Sequence, residues 1–274
     1  MQSKDAVAPP GSPEREILDQ IDPDKLPRHI AVIMDGNGRW AQVRHLPRVE
    51  GHRAGIHTVQ STVETVARLG VPWVTLYAFS TENWKRPRAE VSTLMALLRD
   101  YIDRELDRFV SNNLRLRMIG RLDRLDEPVQ RRIESAVAAT AACTGTTVQI
   151  ALSYSGRQEI TDLVRAAVAE GASGVVQPEQ VDEGWIDAHL QTAGSPDPDL
   201  LIRTSGEQRI SNFLLWQIAY AEIYFTPVLW PDFTTAELLR AILEFQRRER
   251  RFGGLGRQTQ RPQPAQGDSG ATRA

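Results

Sequence analysis

The chain has 274 residues, of which 41% are hydrophobic and 25% charged, a composition typical of a globular domain. Its formal net charge of −2 gives no sign of a nucleic-acid partner, and its single cysteine, Cys143, excludes an internal disulfide and a cysteine-rich zinc site. No run of eighteen apolar residues predicts a membrane span, and residues 1–10 lack the apolar core of a signal peptide. We therefore expect a cytoplasmic protein that does not bind nucleic acid.

Short, β-rich apolar runs alternate along the chain with longer stretches that have the period of an amphipathic helix. Strands are predicted at residues 29–34, 73–79, 114–119, 147–154, 200–204 and 222–225. Helices are predicted at residues 51–69, 89–112, 127–142, 158–170, 185–191 and 235–250. This alternation predicts an α/β fold, a single domain with a mostly parallel central sheet of about six strands flanked by helices.

Both ends of the chain have the composition of tails. Residues 1–27 are proline-rich and contain one short helical stretch near residues 14–19, so we expect an N-terminal tail. Residues 254–274 are rich in Gln, Pro, Gly and Ser, which predicts a disordered C-terminal tail. No long linker interrupts residues 28–253, which we therefore assign to one domain.

The predicted helix at residues 89–112 is long for a domain of this size, at roughly 35 Å. Apolar residues such as Leu94, Leu98 and Ile102 recur along one side of it. This pattern is typical of ordinary core, and the alternative is one wall of a long apolar tunnel. The following strand, at residues 114–119, alternates apolar and cationic residues, which predicts an edge or half-exposed strand.

The most informative segment, residues 35–40, follows the first predicted strand and reads Asp-Gly-Asn-Gly-Arg-Trp. Its glycines allow backbone N–H groups to approach a ligand closely, and Arg39 adds positive charge, so the segment predicts an anion site. The alternative is a hairpin turn, which Asn-Gly favours. That turn needs a second alternating strand, and residues 39–44 are too polar to provide one. The anion site is therefore the favoured interpretation.

Polar, glycine- or serine-containing segments also follow the second, fourth and fifth strands, at residues 80–84, 154–157 and 203–206. In an open parallel sheet, ligands bind in the crevice at the carboxyl ends of the strands. These segments and residues 35–39 are therefore expected to form a single site.

Two groups of residues near these junctions predict two phosphate positions, because guanidinium groups bind phosphate bidentately. The groups are Arg39, Arg48 and His52, and Arg203, Arg209 and Ser211.

Two carboxylates beside strands, Asp35 and Glu222, are candidate metal ligands. Hard oxygen ligands beside phosphate-binding groups favour Mg²⁺. For Glu222, a salt bridge with a neighbouring arginine is an equally open interpretation.

With these motifs in view, residues 28–253 resemble the cis-prenyltransferases, the Z-isoprenyl diphosphate synthases typified by bacterial undecaprenyl diphosphate synthases. The resemblance lies in residues 29–40, 51–55, 76–87, 201–217, 219–226, 229–233 and 250–254. It implies a catalytic domain that condenses isopentenyl diphosphate repeatedly onto an allylic diphosphate such as farnesyl diphosphate, with Mg²⁺. A long-chain product, the lipid carrier for cell-wall synthesis, is implied. So are a homodimer and peripheral membrane contact during product release.

The resemblance also implies individual roles. The allylic diphosphate would be held by Gly36, Asn37, Gly38, Arg39, Arg48 and His52, and the isopentenyl diphosphate by Arg203, Arg209, Ile210 and Ser211. The rest of the substrate site would be Trp40, Ser80, Thr81, Glu82, Trp84 and Arg86. Asp35 and Asn83 would be catalytic, with Asp35 and Glu222 as metal ligands. Because an amide is a weak base, we expect Asn83 to orient a substrate or a relay through His52. Residues 251–253 would reach the partner's site.

The chain departs from the family where Asn-Tyr-Gly-Gly-Arg is expected. Here Ser153-Tyr-Ser-Gly-Arg follows a bulky Leu152, which would shorten the product if this strand lines the tunnel. A short-chain or cyclising synthase of terpene metabolism is therefore one alternative. A non-catalytic partner subunit of a prenyltransferase complex is another, although such subunits tend to lose the Asp-Gly-Asn segment that this chain keeps.

Overall fold

The computed structural model describes residues 3–248. Within them, six strands form one sheet in the order β3–β4–β2–β1–β5–β6, with every neighbouring pair parallel. The strands are β1 His29–Ile33, β2 Trp73–Ser80, β3 Arg115–Ile119, β4 Thr147–Tyr154, β5 Leu200–Arg203 and β6 Glu222–Phe225. The predicted six-stranded parallel sheet is therefore confirmed, and β3 lies at an edge, as its alternating sequence predicted.

The helices connect and cover these strands. They are α1 Lys4–Val7, α2 Pro13–Leu18, α3 Asn37–Val43, α4 Arg48–Leu69, α5 Arg88–Ser111, α6 Glu127–Ala139, α7 Gly156–Ala172, α8 Glu183–His189 and α9 Thr235–Arg247. All six predicted helices are present with shifted ends, whereas α3 was not predicted. Its sequence has no apolar period that would predict a helix, and only Ala41 within it is buried.

The two faces of the sheet are covered differently. Helices α4, α5, α6 and α9 bury one face in the larger apolar core, to which Val66, Ile133 and Ile242 belong. The other face packs against residues 210–218, where Phe213 and Leu214 are fully buried. Helix α7 follows β4 and leaves most of its surface exposed or half-exposed. The thick layer of helices therefore lies on one side of the sheet.

The N-terminal segment differs from the predicted tail. Leu18 and Ile21 are buried in the main core, and helix α2 packs against α9. Gln246 Nε2 donates to the Asp22 carbonyl, and the Asp22 N–H donates to Gln246 Oε1. The proline-rich composition indicated a tail. Composition alone does not show that a few apolar residues, such as Leu18 and Ile21, anchor the segment in the core. The predicted C-terminal tail, 254–274, and residues 251–253 lie outside the described residues.

The strand order changes direction between β1 and β5. The chain leaves β1 toward β2 and the β3 edge, and it later crosses to β5 and continues to β6. The crevice at the carboxyl ends of such diverging strands is the usual ligand site of an open α/β sheet. Residues 34–39 line that crevice here, together with Arg203, Ser211 and Asn212. No helix within the described residues has the length and hydropathy needed to cross a membrane.

Candidate functional site

The loops after β1 and β5 are joined at Asp35. Arg203 Nη2 donates to Asp35 Oδ2 at 2.8 Å, and the Gly36 N–H donates to Oδ1 at 2.7 Å. The Asp35 N–H donates to the Thr204 hydroxyl, which donates in turn to the Asp35 carbonyl. Arg39 Nη2 lies 3.7 Å from Asp35 Oδ2. The carboxylate is therefore fixed between two guanidinium groups.

Asp35 is held in its ionised form. Burial acts to raise the pKa of its carboxyl, but the hydrogen bond and charge of Arg203 act against it. The Gly36 N–H and the charge of Arg39 add to this effect, and the pKa is lowered below its ordinary value. An ionised carboxylate is therefore available at the mouth of the crevice near neutral pH.

The backbone at Gly36 explains why the sequence needs glycine there. Its φ of +108° lies in the region that disfavours side chains, and a Cβ would lie 2.9 Å from Leu229 Cδ2. At Gly38, a Cβ would lie 2.9 Å from Nη2 of Arg48. The two glycines thus let the chain turn into α3 and leave room for a cationic side chain.

Arg203 is the most buried cation of the site, with 3% of its surface exposed. Besides Asp35, it donates to the Ser211 hydroxyl at 2.6 Å and to the Arg209 carbonyl. Arg39 donates to the hydroxyl and carbonyl of Ser205. The guanidinium groups of Arg39 and Arg203 are therefore positioned by the loop that follows β5.

A second cationic group consists of Arg48 at the start of α4 and Arg86, two residues before α5. Arg86 donates to Glu90 at 3.0 Å, and Arg48 lies 3.8 Å from the same carboxylate. His52 faces this group, and its pKa is lowered to about 4 by burial first and then by the charges of Arg86 and Arg48, against the opposing charge of Glu90. His52 is therefore neutral near pH 7, beside two cations.

These groups open into one cavity of about 700 Å³. Its mouth is polar, and its far part is lined by apolar side chains of α4, α5 and the sheet, including Val59, Leu94, Leu98 and Ile150. Thirteen of the predicted site residues line it, namely Asp35, Gly36, Asn37, Gly38, Arg39, Arg48, His52, Ser80, Glu82, Asn83, Arg86, Arg203 and Ser211. The structure thus brings these thirteen residues together around one cavity.

Several other predicted residues lie outside the cavity lining. Trp40 donates to Asp232, Trp84 Nε1 donates to Ser153 Oγ at 2.9 Å, and the exposed Arg209 pairs with Glu207. The full set outside the lining is Trp40, Thr81, Trp84, Arg209, Ile210 and Glu222. Leu152, expected to narrow a tunnel, is instead buried in the core and does not line the cavity.

Glu222 is not brought to Asp35 within one chain. It is the first residue of β6 and is in register with Leu200, whereas the site lies beyond Arg203 and Phe225. Three residues of strand separate it from that edge, about 10 Å. Its carboxylate accepts from Arg248 Nη1 at 2.9 Å. The structure therefore shows the salt bridge that the sequence left open as an alternative.

Within the described residues, three buried polar atoms of the site have no hydrogen-bond partner: Asn37 Oδ1, His52 Nε2 and Arg203 Nε. Buried polar groups are otherwise almost always paired, so unpaired ones require an explanation. All three belong to residues that line the cavity. They have the capacity to bind a polar ligand.

Sequence reasoning missed Glu90 and Asn212. Asn212 lines the cavity and donates to Glu82 at 3.0 Å and to Ser155 at 2.7 Å. These partners are distant in the chain, so local sequence could not pair them. The one sequence signal for Asn212 was its position directly after Ser211, a predicted site residue. Asparagine also tolerates the positive φ of 62° that the backbone adopts there.

The donor set fits a magnesium ion that is shared with a phosphate. Within the described residues there is no group of three or more His, Cys, Asp or Glu side chains able to form a complete metal cage. Mg²⁺ is commonly bound by one or two carboxylates together with substrate phosphates and water. Asp35, ionised and beside cations that suit phosphate, provides that kind of ligand.

The chain is similar to proteins of known family. The family model described as "Putative undecaprenyl diphosphate synthase" matches residues 33–253. An isoprenyl transferase of Heliobacterium mobile is 50% identical, covering 88% of this chain and 93% of that protein. The farnesyl-diphosphate-specific ditrans,polycis-undecaprenyl-diphosphate synthase of Lactiplantibacillus plantarum is also 50% identical, covering 86% and 92% of the two chains.

Solved structures agree. Lavandulyl diphosphate synthase from Lavandula x intermedia, in complex with dimethylallyl diphosphate, superposes with a TM-score of 0.82 at 36% identity, covering 84% of this chain and 99% of that chain. A probable undecaprenyl diphosphate synthase from Campylobacter jejuni gives a TM-score of 0.69 at 37% identity, with 83% and 98% covered. By the extent of these matches in sequence and structure, the chain belongs to the undecaprenyl diphosphate synthase family of prenyltransferases.

Proposed function

We propose that the protein is a Z-prenyl diphosphate synthase. It condenses isopentenyl diphosphate repeatedly onto an allylic diphosphate, farnesyl diphosphate being the expected primer, and makes a long-chain polyprenyl diphosphate of the undecaprenyl type for cell-wall synthesis. One observation carries this proposal: the polar mouth that holds Asp35, Arg39 and Arg203 opens directly into an apolar cavity. Such a site suits a substrate with a charged head and a hydrocarbon chain.

Two diphosphates are assigned to the two cationic groups. The allylic diphosphate lies against Arg39, Arg48 and the neutral His52, close to the apolar cavity that takes its chain. The isopentenyl diphosphate lies against Arg203 and Ser211. Charge-assisted hydrogen bonds of this kind contribute roughly 1.5–3 kcal/mol each, so a few of them suffice to hold a diphosphate. The unpaired atoms His52 Nε2 and Arg203 Nε support both assignments.

The reaction begins with loss of the allylic diphosphate, which leaves with the electron pair of the carbon–oxygen bond. The isopentenyl double bond then attacks the allylic carbon. A proton passes from the isopentenyl unit to the released diphosphate, and the electron pair of the broken C–H bond forms the new double bond. Arg39 and Arg48 stabilise the negative charge that develops on the leaving group, because both lie at the position assigned to the allylic diphosphate. Asp35 would hold Mg²⁺, which would supply further charge stabilisation when bound.

The contacts of Asn83 support an orienting role. Its Oδ1 accepts the Ser80 N–H at 3.0 Å, and an amide oxygen engaged in this way is a poor proton acceptor. Asn83 lines the cavity, so its amide N–H₂ group is placed to donate to a substrate oxygen. We assign it to substrate orientation in the proton-loss step rather than to direct removal of the proton.

The assembly and location follow the family resemblance. We propose a homodimer, which the apolar exposed surface of α7 supports: Val164 and Val168 are 53% and 67% exposed and lie one turn apart. A polyprenyl product is insoluble in water, so its release calls for peripheral contact with a membrane. The enzyme would act in the cytoplasm, at the inner face of that membrane.

Product analysis tests the proposal. The purified protein is incubated with farnesyl diphosphate, radiolabelled isopentenyl diphosphate and Mg²⁺, and the products are resolved by reversed-phase chromatography beside polyprenyl standards. We expect long-chain Z-products, and no product when a chelator removes the metal. A short or cyclic product as the sole outcome would favour the terpene-synthase alternative. Absence of any condensation would overturn the assignment as an enzyme.

A further inference from the structure

Beyond the main cavity, a second void of about 20 Å³ lies between α5, α6 and the β3–β4 edge of the sheet. Phe109, Leu116 and Ala136 line it, with exposed fractions of 6% or less. It lies farther from the charged mouth than the apolar part of the main cavity, because β3 and β4 are the strands most distant from the β1–β5 crevice. A hydrocarbon chain growing away from Asp35 would reach it last.

Tyr101 and Ile150 are the residues of the described chain that line both spaces. Both are buried, with 8% and 5% of their surfaces exposed. Tyr101 lies two helical turns after Leu94 on α5, on the same side of the helix, at about 10 Å along its axis. The two side chains therefore form the partition between the main cavity and the void.

The far side of the partition suits hydrocarbon. The Thr140 hydroxyl donates to the Ala136 carbonyl at 3.0 Å and accepts from the Leu116 N–H at 3.1 Å, so its polar capacity is used. The Glu105 carboxylate is bonded to Gln60 and lies 3.3 Å from Arg108. With the polar groups of Thr140 and Glu105 already paired, the void offers mainly apolar surface to whatever reaches it.

We propose that Tyr101, which with Ile150 lines both spaces, ends the hydrocarbon cavity and sets the length of the prenyl product. This inference rests on the proposed synthase activity and names the residue that limits its product. A growing chain that meets the Tyr101 ring has no further space, so the next condensation is blocked. Removing the ring joins the void to the cavity and allows further isoprene units to be added.

The test compares product lengths from farnesyl diphosphate and labelled isopentenyl diphosphate in single and double variants. Tyr101→Leu and Tyr101→Ala are expected to lengthen the main product by about one isoprene unit or more. Tyr101→Phe keeps the ring and is expected to give the wild-type length. Val110→Ala, at a 47% exposed position on the same helix, is the matched control and should also leave the length unchanged.

Variants of Phe109 provide the decisive comparison, because this residue lines the void behind the partition and does not line the main cavity. Phe109→Ala alone should leave the product length unchanged, whereas Phe109→Ala combined with Tyr101→Leu should lengthen the product beyond Tyr101→Leu alone. Longer products from Phe109→Ala alone, or an active Tyr101→Leu enzyme with wild-type product, would overturn the inference. A wild-type protein that makes no prenyl product would count against the proposed function instead.

Discussion

The buried polar groups at the two ends of the sheet differ in how completely they are hydrogen-bonded. At the amino end, His29 Nδ1 bonds the Pro196 carbonyl at 2.7 Å and Nε2 bonds the Thr75 hydroxyl at 2.6 Å. That hydroxyl also accepts from Gln149 at 3.1 Å, and Gln149 accepts from Ser195 at 3.3 Å. These side chains therefore satisfy one another's hydrogen bonds across three strands.

At the carboxyl end, charged groups are concentrated and their hydrogen bonds are incomplete. Asn37 Oδ1, His52 Nε2 and Arg203 Nε are buried without a partner within the described residues. Leaving a buried donor or acceptor unpaired costs about 1–3 kcal/mol. We infer that the paired groups at the amino end maintain the fold and that the three unpaired groups at the carboxyl end are available to a ligand. It also predicts that substitutions at the two ends change different measured quantities.

Asp35→Asn carries the largest expected effect. It removes the charge that would hold the metal while keeping an oxygen that accepts from Arg203. We expect kcat/KM for prenyl transfer to fall by about 10²–10³-fold, the size found when one preorganised electrostatic group is lost. Steady-state kinetics measure this, with Asp162→Asn on exposed α7 as the control. If kcat/KM for prenyl transfer were unchanged in Asp35→Asn, the carboxyl end of the sheet would not be the site of the reaction.

The pH dependence of stability separates two buried histidines, one at each end. The pKa of His29 and that of His52 are both lowered to about 4, in each case first by burial. Between pH 6.5 and 4 the unfolded chain binds more protons than the folded one, so stability falls as pH falls. At pH 5 each histidine contributes a loss of about 2 kcal/mol relative to pH 7.

Urea unfolding between pH 5 and 7 measures this slope. His52→Asn is expected to remove the contribution of His52 and to leave that of His29 in place. If the slope of His52→Asn equals that of the wild type, His52 is not held neutral by the site.

Thr75→Val tests the amino end alone. The valine cannot bond His29 or Gln149, so the free energy of unfolding is expected to fall by about 1–3 kcal/mol. Because the reacting groups lie at the other edge of the sheet, kcat/KM should stay within about twofold. Thr161→Val, at an exposed position, serves as the control and should change neither quantity. A selective loss of kcat in Thr75→Val would break the division between the two ends.

Glu222→Gln carries the smallest expected effect, because the residue begins β6 and pairs with Arg248 at the partly exposed surface. We expect a loss of less than about 1 kcal/mol in stability. The Mg²⁺ concentration for half-maximal activity should remain that of the wild type. A raised magnesium requirement would instead return Glu222 to the metal site that the sequence proposed.

The sheet was predictable because each strand is an apolar run that ends at polar residues. The order of strands then brings the four polar junctions to one edge, which is why Asp35, Arg39 and Arg203 could be grouped from sequence alone. Glu222 does not follow this pattern. It stands at the start of its predicted strand, whereas the other site residues follow the ends of theirs.

Other features depended on contacts between distant segments. Helix α3 has no apolar period. Glu90 pairs with Arg86, four residues before it, but its second partner, Arg48, reaches it across the α4–α5 packing. Trp84 was placed near the substrate by its position in the loop, but its indole N–H turns to Ser153. Side-chain direction in a loop is set by its tertiary partners, so neighbouring sequence could not predict it.

The carboxyl end of the sheet is therefore expected to bind a diphosphate, whereas the buried polar groups described at the amino end already have hydrogen-bond partners. The most direct measurement follows the imidazole NMR signals of His29 and His52 while inorganic diphosphate and Mg²⁺ are added, with His52→Asn used for assignment. We predict that the His52 signals shift with saturation and that those of His29 stay fixed. Equal shifts at both histidines, or none at His52, would contradict the account.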